Sequence, residues 1–418
     1  MTSPHDQSVP LLDEELAHAI EAYVRDRREA LFALASALVR HPSTVGSEDG
    51  AQRLVVEQLE SSGFEIERIE TDAAAAIADE TAGYPSLSYE GRASVVGTRH
   101  GIGGGASLHL SGHVDVVPVD PLEEWTRDPW GGEIADGKLW GRGSGDMKGG
   151  LAAYLVAAAA VSELCRERRG DLVVSSVIEE ECGGNGMWSV IRAGHSADAT
   201  LIGESTGLSL GYAGTGVVWA RLGARGTAGH SANSGRSGPF DALCRGVGAL
   251  RQLESQLNDE IQDEVFASAS DWPYRLSIGR IEGGVWTSST PAELVVHVRF
   301  GFGRENSSGE VQSMIREAVA SVGEDIEVRF EAFRANAYCH SVEGPLPELM
   351  RACQRLVVGS EPEAKVFTAT TDARFVAGPC LCYGPSAGNL HGADEWVDLR
   401  TLEETAVVVA LAAAHWIA

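Results

Sequence analysis

Apolar strand-like and helix-like segments alternate along this chain, and the alternation is interrupted once, between about residues 217 and 334. Before the interruption, Leu31, Leu34, Leu38 and Val39 have helical spacing, a second helix runs near 50–61 and stops at Gly63, and strands are predicted at 64–69, 93–98, 107–110, 171–178 and 199–202. A long apolar helix is predicted at 147–164 and a shorter one at 187–193. Such alternation implies an α/β fold with a mostly parallel sheet and helices on both faces. Gly101-Ile-Gly-Gly-Gly, between two of the strands, reads as a hairpin-type turn, and 121–145 as a loop rich in Trp, Pro and Gly.

The interruption has its own order. Val217–Ala224 reads as a strand, and Phe240, Leu243, Val247, Leu250, Leu253 and Leu257 share a helical face. Two strands, 274–281 and 293–300, precede a second helical stripe at Val311, Met314, Ile315, Ala318, Val319 and Val322, and a last strand at 326–333. That β-α-β-β-α-β order is the split motif of a ferredoxin-like α+β unit. The expected organisation is one larger unit made of 1–216 and 335–418, with 217–334 inserted in it.

Charge narrows the range of partners. The chain holds 33 Lys+Arg against 60 Asp+Glu, a formal net charge of −27, which excludes the basic face that nucleic acid or an anionic membrane requires. With 44% hydrophobic and 22% charged residues over 418 positions, it can bury a large core and is not a disordered chain. No apolar run reaches the roughly 18 residues of a spanning helix, so Leu151–Val161 and Ala406–Ala418 read as core helices. The first thirty residues lack the basic start and apolar run of a secretory signal. The seven cysteines include no C-x-x-C pair, which points to reduced thiols and a cytoplasmic location.

His113, Glu180, Glu181 and Glu204 each fall just past a predicted strand, where ligands bind in open α/β sheets. Asp146 stands at the start of the long apolar helix, and His391 follows the strand-like 380–383. Taken singly, His113-x-Asp115 is a weak signal, and an acidic triplet is more often a solvated turn. Together, two imidazoles and several carboxylates at one sheet edge suit an open, catalytic site for zinc or another borderline divalent ion. Gly141-Arg-Gly-Ser-Gly-Asp is not a dinucleotide loop, because Asp146 puts negative charge where a phosphate would sit.

The segments SGHVDVVP, GRGSGDMKGG, EEECGGNG, IGES and GPSAGNLHGADEWV resemble, in order, the signature blocks of the di-zinc aminoacylase and metallopeptidase family. That family includes acetylornithine deacetylase, succinyl-diaminopimelate desuccinylase and glutamate carboxypeptidase, and the resemblance runs from about residue 30 to the end. It implies that His113, Asp146 and Glu204 bind one metal and that Asp146, Glu181 and His391 bind the second, with Asp146 bridging. Asp115 would hydrogen-bond His113 and fix its tautomer, and Glu180 would be the general base. The family's usual Asp-Glu-Glu is Glu179-Glu180-Glu181 here, aligned on its second and third positions. Two divalent ions per chain are implied, Zn2+ first, with Co2+ also suited to the ligands.

Within the inserted segment, Arg225-Gly-Thr-Ala-Gly-His230-Ser resembles the block whose histidine reaches into a partner subunit's site to stabilise the oxyanion. Val296-His-Val-Arg299-Phe resembles the strand whose arginine grips a substrate carboxylate, with Arg304 as a rival, and Thr371-Asp372-Ala-Arg374 resembles a cleft-lining segment. The resemblance implies a cytoplasmic, homodimeric amidohydrolase, with the inserted unit as lid and dimerisation element. It would remove an N-acyl group from a small amino-acid-like substrate. A carboxypeptidase or dipeptidase would use the same metals, and a non-catalytic dimeric binding protein would normally lack Glu180 or a ligand.

Overall fold

The computed structural model describes residues 12–233 and 238–418. Its nine-stranded sheet runs through Glu65–Glu70, Ala93–Arg99, Leu172–Val177, Leu108–His113, Ala199–Ile202, Cys380–Cys382, Leu210–Gly214 and Tyr338–Cys339, with Ala364–Phe367 also paired to Leu210–Gly214. The centre is parallel: Leu108–His113 pairs with Leu172–Val177 on one side and Ala199–Ile202 on the other, and Ala199–Ile202 pairs with Cys380–Cys382. The margins are antiparallel except for Ala364–Phe367, which pairs with Leu210–Gly214 in parallel. Every residue of Leu108–His113 and Leu172–Val177 is buried, as expected of parallel strands covered on both faces.

The glycine run does not close a hairpin. Leu172–Val177 lies between Ala93–Arg99 and Leu108–His113, so the connection passes over the start of that strand. Ile102 and Gly103 donate backbone hydrogen bonds to the Arg168 and Arg169 carbonyls, and a Cβ on Gly105 would lie 2.5 Å from the Gly170 nitrogen. The glycines serve close backbone approach.

The helix Gly149–Leu164 is apolar on all sides and nearly all its residues are buried. It packs against Leu399–Trp416 and the amino-terminal helices. The stretch Ser144–Leu164 is long and apolar enough to cross a membrane by composition, but here it is the core of the main unit. The chain opens on two helices, Glu14–Asp26 and Arg28–Val39, separated where Arg27 takes φ −107° and ψ 12°.

A second, four-stranded antiparallel sheet has the order Leu276–Gly283, Glu293–Phe302, Gly216–Arg225, Ile326–Ala335. Val218, Ala220, Leu222 and Ala224 join Val296, Val298, Phe300 and residues of Pro239–Asp259 and Ser308–Ala320 in a core of their own. Strand alternation turns Trp219 and Arg299 to the opposite face, where the two stand directly across from each other. A small sheet formed by Ala387–Gly388, Trp396–Asp398, Lys138–Trp140 and Glu133–Ala135 lies partly in the stretch expected to be loop. It sets residues 141–146 beside 389–395.

Candidate metal centre

His113 ends its strand with the ring buried. Its Nδ1 lies 2.9 Å from the backbone carbonyl of Asp115, and its Nε2 lies 3.1 Å from Asp146 Oδ1 and 3.9 Å from Glu204 Oε1. The contact at Nδ1 fixes the ring so that Nε2 faces the carboxylates, where it donates to Asp146 when protonated and can bind a metal ion when not. His391 Nε2 lies 3.1 Å from Glu181 Oε2 and 3.3 Å from Asp146 Oδ2. Two donor clusters result, His113–Asp146–Glu204 and Asp146–Glu181–His391. Asp146 belongs to both and turns one oxygen to each imidazole.

Electrostatics mark the pocket as strongly anionic. Burial pushes the Glu180 carboxyl well above the usual range and, with Asp146 next in weight, Glu204 up to about 8. Burial also opposes ionisation of Asp146, yet hydrogen bonds from His113 and His391 hold its pKa well below the ordinary carboxylate value. Burial likewise opposes protonation of the imidazoles, but Asp146 and its neighbours raise His113 well above its usual value and His391 to about 11. Such a site demands positive charge, which a dication supplies. Glu181 Oε1 is buried with no hydrogen-bond partner among the described residues, as a waiting ligand atom would be. The nitrogen and oxygen donors fit zinc or a similar divalent ion. Neither cluster contains a thiol, and Cys182 Sγ contacts Ser86 Oγ at 3.6 Å.

Asp115 acts differently from the expectation. Its carboxylate is 3.8 Å from His113 Nδ1, and the backbone carbonyl makes the hydrogen bond to the ring. The carboxylate oxygens instead accept from the Glu180 and Glu181 N–H groups, both at 3.1 Å, and so hold the turn that carries these two side chains. Glu180 Oε2 lies 3.9 Å from His113 Nε2, beside the clusters.

Glu395, to which the sequence reading gave no role, is fully buried and paired with Arg142. Its Oε1 accepts from the Gly145 and Asp146 N–H groups at 2.9 and 3.0 Å, anchoring the backbone of the shared ligand. An acidic residue four positions past His391 was the available signal.

Asp146, Glu180, Glu181, Glu204 and His391 line a cavity of about 260 Å³, and Arg299 lines it too. Arg304 instead pairs with Asp263 at 2.7 Å. Arg374 is not in that lining: its guanidinium donates to the carbonyls of Thr371 and Gly183, at 3.0 and 2.9 Å, and pins the turn after Glu181. His230 is exposed in a two-residue pairing with Ser289–Thr290 and does not reach the clusters within the chain. A larger groove of about 670 Å³ lies between Pro239–Asp259 and Ser308–Ala320, but its lining has neither histidine nor cysteine.

A mixed α/β sheet carrying paired histidine–carboxylate clusters at the ends of its parallel strands defines a metallohydrolase. The profile of Peptidase family M20/M25/M40 matches residues 109–415, and the chain belongs to this family of amide-bond hydrolases. Succinyl-diaminopimelate desuccinylases from two strains of Cereibacter sphaeroides are 31% and 30% identical to it, each match covering 89% of this chain and 94% of the relative. One from Nitrosomonas europaea is 26% identical, over 90% of this chain and 96% of its own. Among solved structures, the di-peptidase Dug1p of Saccharomyces cerevisiae superposes with a TM-score of 0.78 at 16% identity, covering 96% of this chain and 98% of the other. The carboxypeptidase Sso-CP2 of Sulfolobus solfataricus gives 0.72 at 17% identity, over 97% and 100%.

Proposed function

We propose that this protein is a di-metal deacylase that hydrolyses the amide of a small N-acyl amino acid. The observation that carries the reading is the sharing of Asp146 between two histidine–carboxylate clusters, with Glu180 beside them. His113, Asp146 and Glu204 hold one ion, and Asp146, Glu181 and His391 the other; Zn2+ suits these donors first and Co2+ also. When bound, the ions supply Lewis acidity to the scissile carbonyl and to the attacking water. Glu180 takes a proton from that water as its oxygen bonds to the carbonyl carbon. It then passes the proton to the amide nitrogen as the carbon–nitrogen bond breaks, and the water's second proton leaves with the amine, so that carboxylate and ammonium are released. Arg299 receives the substrate carboxylate.

Residues 217–334 form the lid and dimerisation unit, and His230 of a second copy donates to the oxyanion. The outer strand Leu276–Gly283 supports this: Ile278 and Ile281 are exposed on it and Val285 and Trp286 just beyond, an apolar edge suited to cover by a second chain. Seven free thiols support a reducing, cytoplasmic location.

The test is a pooled hydrolysis screen read by mass spectrometry. Protein loaded with Zn2+ or Co2+ meets N-formyl, N-acetyl, N-succinyl and longer N-acyl amino acids plus dipeptides. Cleavage of N-acyl amino acids is expected, with Glu180→Gln slower by roughly 10²–10⁴-fold at unchanged metal content. Cleavage of dipeptides alone would make the protein a peptidase, and a fully active Glu180→Gln would remove the base from the mechanism.

A further inference from the structure

The cavity at the metal centre has two unlike walls. Each carboxylate lining it belongs to the two clusters or is Glu180. The rest of the lining combines an aromatic wall of Trp219, Phe333 and Phe367 with Arg299 and a few small polar side chains. Trp219 and Arg299 are direct cross-strand partners, so their side chains leave the same face of the sheet about 5 Å apart. Phe333 meets Trp219 edge-on, the ring centroids 5.1 Å apart. The Trp219 Nε1 is buried with no hydrogen-bond acceptor among the described residues. The hydrogen bond seen for Arg299 is a long one, 3.4 Å, to the Thr368 carbonyl, and burial lowers its pKa with no carboxylate offsetting it.

A largely enclosed guanidinium with one long hydrogen bond is a ready partner for one carboxylate. In an α-amino acid, carboxylate and side chain leave the same carbon. A carboxylate held at Arg299 therefore lays the side chain against the aromatic wall. We infer that this site selects N-acyl amino acids with an apolar side chain, aromatic or branched aliphatic, which packs on the Trp219 and Phe333 rings. The inference rests on the deacylase reading above. A side chain ending in an ammonium group would give up its water and find, among the described lining residues, no carboxylate outside the metal clusters and Glu180. That sets this chain apart from the diaminopimelate specificity in the names of its relatives.

The experiment compares kcat/KM of the Zn2+-loaded enzyme for the N-acetyl and N-succinyl derivatives of phenylalanine, leucine, ornithine and diaminopimelate. Phenylalanine and leucine derivatives should exceed the other two by at least about tenfold with either acyl group. Trp219→Phe should keep the order, and Trp219→Ala should reduce the preference to within about threefold. Circular dichroism and metal content of both variants should match the wild type. A best substrate of N-succinyl-diaminopimelate, a preference that follows the acyl group, or an unchanged order in Trp219→Ala would overturn the inference while leaving the deacylase reading in place. Hydrolysis of no member would overturn both.

Discussion

His109 and His113 lie on one face of the same buried strand, four residues apart, with opposite proton affinities. Carboxylates surround His113 and raise it, whereas burial pushes His109 down to about 3, its Nε2 meeting only the Ser175 hydroxyl at 2.8 Å. His109 is therefore neutral in the folded chain, while in the unfolded chain it titrates near 6.5. Its neutrality costs nothing above pH 6.5, and stability falls from there toward pH 3 as only the unfolded state binds the proton. Urea unfolding of chelator-treated protein should show His109→Gln losing about 2–3 kcal/mol less than wild type between pH 6.5 and 4.5. Equal losses in the two proteins would show that His109 already carries a proton in the fold. The contrast also shows what was legible at this scale. His113, Asp146, Glu180, Glu181, Glu204 and His391 were readable because each ends a strand or opens a helix, and those positions converge. Trp219 was not, since alternation along one strand places a side chain on a face but does not say that the face covers a site.

Loops hold the ligands, and distant elements hold the loops. The turn bearing Glu180 and Glu181 hangs on Asp115, and the 141–148 turn on Glu395, which arrives from the small sheet near the chain's end. Glu395→Gln keeps the shape of the side chain but leaves one acceptor oxygen for two sets of donors, the Arg142 guanidinium and the Gly145 and Asp146 N–H groups, so the anchor of the Asp146 backbone weakens. Metal affinity measured by competition with a chromophoric chelator should drop roughly 10–100-fold, with the far-ultraviolet spectrum retained. Unchanged affinity would reduce Glu395 to a partner for Arg142. The small sheet shows why elements were only partly legible. Its strands are three residues or fewer, too short for periodicity, and they pair segments some 250 residues apart. The Gly101–Gly105 run misled for a related reason: turn chemistry is local, while the insertion of Leu172–Val177 between the flanking strands is not.

At the scale of the whole molecule, a single chain has every group the proposed reaction needs except one. His230 stands exposed, away from both clusters, although its sequence block resembles one that serves an oxyanion. If a second copy supplies it, each site is composite, built from the metal clusters of one chain and His230 of the other. A His230→Ala chain and a Glu180→Gln chain are then each inactive as homodimers. A mixed dimer contains one site with both defects and one with neither. Random reassociation of equal amounts makes half the dimers mixed, so the mixture should recover about a quarter of wild-type turnover, measured on the best substrate from the screen. Mass spectrometry of the intact dimer under native conditions confirms that mixed dimers have formed. Mixed dimers without activity would place His230 in its own chain's site after closure of the lid, and an active His230→Ala homodimer would place it outside the reaction. Recovery would show that the two-fold axis, and not the fold of one chain, completes the active site.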